Sequence, residues 1–595
     1  MSLFSLYHVS KRKCFLTAIC LSGILLIFIF FLYPYMRGED GRFEDYTNVL
    51  FRQEVSSNAI TLHYTLMDPS RFRIHETPIS LGQVSTDVAA IGASAENALS
   101  ALHTFDCEEL SEENQLIYKL LENSFLLSRD MAPYALYEEP LSPLTGTQAQ
   151  LPVLLSEYPF YSLDDVHVYL KLLKTLPSYY QAILDFEQAK ADAGLFMSDE
   201  RVIAVIEECE AFVGMGDSHY LYDTFEKRLS ALGDDSSKTA ALMAEHERCI
   251  EEYVFPAYEL LASGLRKLSG NCKNKQGLCH FPDGKSYYEL LVRNVTGSDR
   301  TILELQTMTY KQIIADIEDM QEVLAKMEAS LDTETFEASY GDGSSFDSDF
   351  GEVFADSNPS AILSSLHGKL KGNFPKPPAV DITVKYVADS MEDYLSPAFY
   401  LIPAIDNSKE NVIYINPKHM GDDLELFTTL AHEGYPGHLY QTTYFQNTNP
   451  APIRSLLGCG GYTEGWATYC EMMSYYLAPI SKEEATLAQK NASVMLALYA
   501  LADMGIHYKG WSLADTVDFF ADYGIEDEGA VSEIYEMILG DPANYLKYYI
   551  GYLEFLELKK DAIGAWGDEF SQERFHREVL EAGPVPFAVL RERML

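Results

Sequence analysis

Apolar residues recur three and four positions apart along most of the chain, with charged residues between them. The spacing is clearest in segments 112–127 and 303–331. It matches one face of an α-helix. Connectors rich in Pro, Gly and Ser, such as 140–152 and 263–285, separate the helical segments. The pattern predicts a mainly helical region over residues 39–330.

The spacing of the apolar residues then changes. Segment 339–359 is small, acidic and rich in turn residues, which suits a loop or lid. Segments 381–387, 398–402 and 411–416 are short, rich in β-branched residues and Tyr, and bounded by turn residues. Helical patterning returns from Asp422 to the end. We therefore expect a mainly α fold with a small β-sheet within residues 331–595, which form the second region.

The amino terminus has a different character. Residues 14–36 are 23 consecutive uncharged residues, and about 20 apolar residues suffice for a helix to cross a bilayer. The bases Lys11, Arg12 and Lys13 precede this stretch and acids follow it, so the basic end should stay in the cytoplasm. A cleaved signal peptide is the alternative, but no small-x-small cleavage site follows the apolar run. Residues 1–38 are thus predicted to be a cytoplasmic tip and a single-pass anchor in the cell membrane, with the rest of the chain extracellular.

Composition limits the partners. The chain has 44 basic and 89 acidic residues and a net charge of -45. An acidic surface repels phosphate backbones, so we expect no nucleic-acid partner. Nine Cys are present without a CxxC pair, so metal ligation by Cys is not expected. Cys272 and Cys279 flank a short polar loop and could form a disulfide in an oxidising compartment.

The segment from His432 to His438, HEGYPGH, contains the residue types of a zinc hydrolase. Neutral imidazoles hold the ion, and the Glu takes a proton from the water that the metal activates. Usually the second His lies four residues on, where Pro436 stands here. His438 is six residues on, about 240° around an ideal helix. Pro436 should break the helix after Glu433, and the helix should restart near Pro436, which could bring the rings together. Alternatively, the two His are unrelated residues at a kink.

Two further acids favour the metal interpretation. Glu464 and Glu471 are seven residues apart, on one helical stripe among residues such as Trp466 that otherwise belong inside. Buried carboxylates are rare unless they are paired or bind a metal. A salt-bridged interior pair is the alternative. Two His and one Glu would leave the fourth zinc position to water.

Several motifs together resemble the DUF885 family of bacterial proteins, predicted helical zinc-dependent peptidases that are distantly similar to oligopeptidases of the thimet type. The resemblance covers roughly residues 40–595. Its motifs are His432-Glu433-x-x-Pro436-Gly437-His438, Glu464-Gly465-Trp466-Ala467, Tyr548-x-x-Gly551, and the segment 503–512. One departure is Leu439, which stands where many members have a second His.

The resemblance implies a Zn²⁺ cofactor held by His432, His438 and Glu464. Glu433 would be the general base, and Glu471 would orient a ligand His through its free ring nitrogen. The thimet-type likeness also implies two lobes around a deep cleft that admits short peptides.

Other side chains are candidates for the reaction. A donor opposite the metal would stabilise the carbonyl oxygen, and Tyr548 matches the family position, with Tyr552 as the reserve. His507 could donate to the intermediate or support a ligand, together with Asp503 on the same helix face.

Substrate could be held in two ways. Arg454 could receive a peptide carboxylate, and the strands between residues 381 and 416 could bind an extended peptide by edge addition.

The hypothesis is a membrane-anchored zinc metallopeptidase that cleaves short peptides. Two alternatives stay open: a surface-anchored binding protein with a structural or lost metal site, and a zinc amidase that acts on cell-wall peptides.

Overall fold

A computed structural model describes residues 38–595 except 144, 234–235, 331–357, 388–391 and 393–394. The predicted anchor and nearly all of the predicted lid, 339–359, lie outside the described residues. Among the described residues, no helix is long and apolar enough to cross a bilayer.

The first half of the described chain is helical, as its apolar period predicts. The helices are α1 Gly38–Val55, α2 Ala59–Thr65, α3 Val88–Leu102, α4 Glu112–Met131, α5 Thr147–Glu157, α6 Leu163–Leu173, α7 Leu176–Ala193, α8 Asp199–Gly214, α9 Tyr220–Ala231, α10 Ser236–Cys249, α11 Phe255–Leu268, α12 Gly284–Thr296 and α13 Ile302–Ser330.

The second half is also mainly helical and contains the sheet. Its helices are α14 Pro359–Lys369, α15 Asp423–Glu433, α16 His438–Asn447, α17 Gly460–Ser474, α18 Lys482–Met504, α19 Leu513–Ala521, α20 Glu528–Gly540, α21 Asn544–Trp566, α22 Gln572–Ala582 and α23 Phe587–Met594. The Asp422 carboxylate caps α15 by accepting from the Glu425 amide at 2.8 Å. The predicted mainly α fold is confirmed.

The three predicted strands are present as β1 Asp381–Tyr386, β2 Ala398–Leu401 and β3 Glu410–Ile415. The order is β1-β3-β2, with β1 parallel and β2 antiparallel to β3. In register, Tyr400 lies opposite Ile413. Because β2 is last in the strand order, it is an edge strand, and its outer side can contact other elements.

The sheet separates two hydrophobic cores. Ile413, Ile415 and Tyr400 pack into the core around α15, α17 and α21. Tyr414 and Phe399 point to the opposite face, into the core built by helices α5 to α11. This alternation is the period of a strand buried on both faces. A third core at the amino-terminal end includes Phe43 and Phe51 of α1.

The division into regions 39–330 and 331–595 stays a prediction. The largest core contains Leu116, Tyr288 and Ile302 from the first region beside Trp466 and Ile550 from the second. The predicted Cys272–Cys279 disulfide is wrong: both are free thiols. The Cys272 thiol donates to the Asn274 carbonyl, whereas the Cys279 thiol donates to that of Ile506. The two side chains have different neighbours.

Candidate metal centre

The helix break expected at the motif is present. Helix α15 ends at Glu433 and α16 begins at His438, so the two His stand on either side of a short loop. The Tyr435–Pro436 peptide in this loop is cis. The expected restart at Pro436 is corrected to His438. The Pro436 carbonyl accepts bonds from the Trp466 indole at 2.9 Å and the Cys470 thiol at 3.3 Å. These bonds hold Pro436 in the loop.

Gly437 is required for the close approach of the two helices. Its amide donates to the Ala431 carbonyl at 2.9 Å, which folds the loop back onto the end of α15. A Cβ atom at this position would lie 1.8 Å from the carbonyl oxygen of His432. Only glycine leaves that space open. The loop can therefore bring His438 beside His432.

Three predicted ligands converge. The rings of His432 and His438 have centroids 4.8 Å apart and planes at 80°. Glu464 Oε2 lies 3.2 Å from His438 Nε2 and 3.8 Å from His432 Nε2. These side chains are 13%, 14% and 23% exposed for His432, His438 and Glu464, so an ion could reach them from solvent.

The donor set fits zinc. Ligand atoms about 2.0 Å from a tetrahedral ion are about 3.3 Å from one another, comparable with the 3.2 and 3.8 Å that separate Glu464 Oε2 from the Nε2 atoms of His438 and His432. Nδ1 of His432 is hydrogen-bonded to Glu471 Oε2 at 2.8 Å. With Nδ1 as the donor, Nε2 keeps its lone pair toward the other ligands. Within the part of the chain that the structure describes, this is the one group of three or more His, Cys, Asp or Glu suited to hold a metal.

The electrostatics of the cluster favour positive charge. Burial opposes a charged Glu464, but hydrogen bonds from His432 and His438 outweigh it and hold the pKa of this carboxyl far below its ordinary value. Burial likewise opposes protonation of His432, but Glu464 and Glu471 outweigh it and raise the pKa of this imidazole. The negative charges of Glu464 and Glu471 thus favour a cation at this site.

Glu433 lies beside the ligands in a drier environment. It is 9% exposed, and its Oε2 accepts the backbone N–H of Tyr400 at 2.8 Å. Burial raises the pKa of Glu433, and the nearby His438 and His432 oppose that shift. A carboxyl with a raised pKa can exchange a proton nearer neutral pH.

Tyr548 on α21 faces the ligands. Its ring centroid is 6.4 Å from that of His432. Burial, with the charges of Glu464 and Glu433, raises the pKa of its phenol, which therefore stays protonated. Helix α21 can approach this closely because it crosses α17 at paired glycines. A Cβ on Gly465 would lie 2.5 Å from Cα of Gly551.

His507 and Asp503 do not join the ligands, which corrects the roles expected of them. His507 accepts the Leu278 amide at Nδ1 and donates from Nε2 to the Ile538 carbonyl. Both nitrogens are occupied, so His507 has no donor left for a substrate. Asp503 accepts from the Tyr288 hydroxyl and the Ala543 amide, and it contacts no ligand His.

Arg454 and Tyr552 are also buried, and their recorded neighbours are not the proposed ligands. Arg454 is 3% exposed and donates to the Ala582 carbonyl at 2.7 Å, so it anchors the chain before α23. Burial lowers its pKa to about 10. Tyr552 lies beside Gln489 and Asp316. It follows Tyr548 by one helical turn but faces a different neighbour.

Three contributors to the site are not indicated as such by the sequence pattern: Tyr400, Trp466 and Cys470. Tyr400 acts through its backbone N–H, and no side-chain pattern signals such a role. Trp466 and Cys470 bind the Pro436 carbonyl, and their place between Glu464 and Glu471 was the available signal.

Comparison with known proteins identifies a family and a shared fold. The family model "Bacterial protein of unknown function (DUF885)" matches residues 81–594. The crystal structure of "the putative lipoprotein from Colwellia psychrerythraea" aligns at a TM-score of 0.77 and 19% identity, over 93% of this chain and 98% of that one. A structure described as "a putative lipoprotein of unknown function from Shewanella oneidensis" aligns at 0.59 and 17% identity, over 86% and 93%. At these identities the likeness shows the fold alone. No curated protein is significantly similar.

Proposed function

The chain belongs to the DUF885 family of bacterial proteins, and on that premise we propose that it is a membrane-anchored, zinc-dependent peptidase that cleaves short peptides. The observation that carries the proposal is the convergence of His432, His438 and Glu464 beside the buried Glu433. A cluster of ligands with a neighbouring carboxyl of raised pKa is the arrangement of a metal-dependent hydrolase.

In this proposal His432, His438 and Glu464 hold the zinc. A bound zinc ion would supply Lewis acidity toward water and the scissile carbonyl. Glu471 keeps the His432 ring in the tautomer whose Nε2 is a ligand.

Glu433 is the proposed proton carrier. Its carboxylate would accept a proton from the attacking water and deliver it to the leaving amine. The raised pKa supports both transfers, because a general acid–base group works best when its pKa lies near the operating pH. The Tyr400 N–H binds Oε2, and the other carboxylate oxygen would face the water.

Tyr548 is the proposed donor to the carbonyl oxygen that becomes negative during attack. Its protonated phenol lies across from the ligands, and burial strengthens a hydrogen bond to an oxyanion. The same burial keeps the phenol from ionising.

The edge of β2 is the proposed platform for the peptide. The Tyr400 N–H points out of the sheet to Glu433, and strand geometry places the Tyr400 carbonyl on the same side. An extended peptide running along this edge would pass the metal ligands. Backbone contacts of this kind accept many side chains, so the specificity would be broad.

An extracellular position is part of the proposal. The apolar stretch 14–36 with bases before it supports a single-pass anchor. The Colwellia and Shewanella structures are described as putative lipoproteins, and membrane attachment of this chain would agree with that description.

Metal analysis and a peptide digest of the full-length protein in detergent test the proposal. Near-stoichiometric zinc and chelator-sensitive cleavage of a short-peptide mixture are expected. Absence of both would refute it. Zinc without cleavage would favour a structural metal, and cleavage confined to cell-wall cross-links would favour the amidase.

A further inference from the structure

A second cavity lies on the other side of the sheet. Its volume is about 440 Å³, and it is bounded by helices α5 and α9 and by strands of the sheet. We call it the basic pocket and define it by Lys227, Arg228, Lys385, Phe399 and Tyr414, which line it. None of these residues has a role at the metal centre.

The charge of the basic pocket is opposite to that of the chain. Bases number 44 against 89 acids, and many of them pair with carboxylates, as Lys174 and Lys275 do at 2.8 and 2.9 Å. Among the described residues, Lys227, Arg228 and Lys385 make no ion pair. Three cations that form no ion pair with a described residue thus line one cavity, and their charges attract an anion.

Among the described residues that line the cavity, one is an acid, and it is already engaged. Glu157 accepts the hydroxyl of Tyr414. Lys385 Nζ donates to the same hydroxyl at 3.2 Å, so the ammonium stays at the wall of the pocket. The hydroxyl thus lies between the acid and the base, and the positive charge of Lys385 is not cancelled by contact with Glu157.

Arg228 is held rigidly at the pocket. Its guanidinium lies 4.6 Å above the Phe160 ring and donates to the carbonyls of Thr224 and Tyr158. Its Nη2 atom is buried and has no hydrogen-bond partner among the described residues. The guanidinium nitrogens are therefore engaged or enclosed, so Arg228 contributes its positive charge to the pocket.

We propose that the basic pocket binds a small monocarboxylate with an apolar body. Lys227, Arg228 and Lys385 recognise the carboxylate. Apolar side chains of Val153, Val387 and Phe399 contact the body of the ligand. A carboxylate with an apolar body suits the pocket better than a free phosphate, because a phosphate has no apolar part to contact Val153, Val387 and Phe399.

The basic pocket is distinct from the metal centre. Phe399 and Tyr414 face the core of the amino-terminal helices, whereas Tyr400 and Ile413 face the core that contains α15. Successive residues of one strand therefore serve the two sites from opposite faces. A ligand in the basic pocket would not occupy the position of the proposed substrate.

Calorimetric titration of the full-length protein in detergent tests the proposal. The probes are N-acetylphenylalanine and its amide, which share the apolar body and differ in the charge. The protein is first treated with 1,10-phenanthroline, a neutral chelator, and dialysed. We expect the acid to bind about tenfold more tightly than the amide, the scale of one charge-assisted hydrogen bond. Equal affinity, absence of binding, or binding that disappears on chelation would overturn the proposal.

A double variant locates the binding. Lys227→Gln with Lys385→Gln should lower the affinity for the acid about tenfold, to that of the amide. Lys409→Gln, an exposed base just before β3, is the matched control and should change nothing. If the double variant binds the acid as the control does, the site is elsewhere and the proposal fails. The comparison of acid with amide on the unaltered protein does not depend on how the variants fold.

Discussion

His432 and Glu471 form a hydrogen bond of 2.8 Å between Nδ1 and Oε2, across helices α15 and α17. The bond joins residues 39 positions apart. It fixes the rotation of the ring, and with Nδ1 as the donor it leaves Nε2 toward Glu464. Glu464 and Glu471, which are seven residues apart on α17, thus have different positions. Glu464 lies among the proposed ligands, whereas Glu471 binds the other ring nitrogen of His432.

That division leads to a prediction for the two acids. Glu464→Ala should abolish zinc binding, because it removes a proposed ligand. Glu471→Ala should retain zinc with affinity lowered by about 10- to 100-fold, the usual effect of losing a partner behind a metal-ligating His. Zinc titration with a competing chromophoric chelator measures both. Equal loss in the two variants would contradict the assignment.

Glu433→Gln should separate metal binding from turnover. The amide keeps the size of the side chain but cannot accept the proton of the attacking water. We expect zinc content to be nearly unchanged and kcat to fall by at least about a hundredfold. Metal analysis and peptide-cleavage kinetics on the same preparation provide the test. Full activity in this variant would exclude Glu433 as the base.

Tyr548→Phe should lower kcat by about a hundredfold, with KM and zinc content little changed, because the lost hydroxyl acts only on the developing oxyanion. Tyr552→Phe is the matched control. It removes a hydroxyl one turn along the same helix, where the neighbours are Gln489 and Asp316. Its kcat should stay within about twofold of the unaltered protein. Similar losses in both variants would indicate a structural effect on α21.

Gly437→Ala should prevent formation of the metal centre. The added Cβ would lie 1.8 Å from the His432 carbonyl oxygen, so the loop between α15 and α16 must open. Gly458→Ala is the control, because no atom lies within 4 Å of a Cβ built there. Zinc content of the two purified variants decides the matter. A normal zinc content in Gly437→Ala would show that the close approach is not needed.

His507 should affect stability and not catalysis. Burial lowers its pKa from 6.5 to about 4. Near pH 6.5 this imidazole takes up a proton in the unfolded chain but stays neutral in the native protein, so above that pH it does not lower the free energy of unfolding. As the pH falls from 6.5 to about 4, this group lowers the free energy of unfolding by about 3 kcal/mol.

His507→Gln should therefore reduce the acid sensitivity of urea unfolding between pH 7 and pH 4.5, while kcat and its pH profile stay unchanged. Glutamine can still accept from Leu278 and donate to Ile538. A large loss of kcat with normal stability would restore the catalytic role first expected of His507.

Local features of the site could be read from the sequence because they depend on neighbours in the chain. Pro436 cannot continue a helix that contains His432, so the break after Glu433 follows from covalent geometry. The seven-residue spacing of Glu464 and Glu471 places both on one stripe of α17 by helical periodicity. The strands near residues 381–416 were visible for the same reason, through their β-branched composition.

The roles of buried polar residues could not be read in this way. His507, Asp503 and Arg454 are all hydrogen-bonded to backbone groups of segments distant in sequence. A sequence pattern shows that such a residue is polar, but not whether its partner is a substrate or a carbonyl.

The sequence by itself determined the helical body, the small sheet, the interrupted His motif and the acidic charge. The tertiary structure alone decided that Nε2 of His432 and of His438 face one carboxylate, that the Tyr400 backbone holds Glu433, and that three bases collect in the basic pocket. The physical reason is the distance along the chain over which each effect acts. Periodicity and backbone stiffness act over a few residues, whereas burial, hydrogen-bond partners and local charge depend on which distant elements pack together.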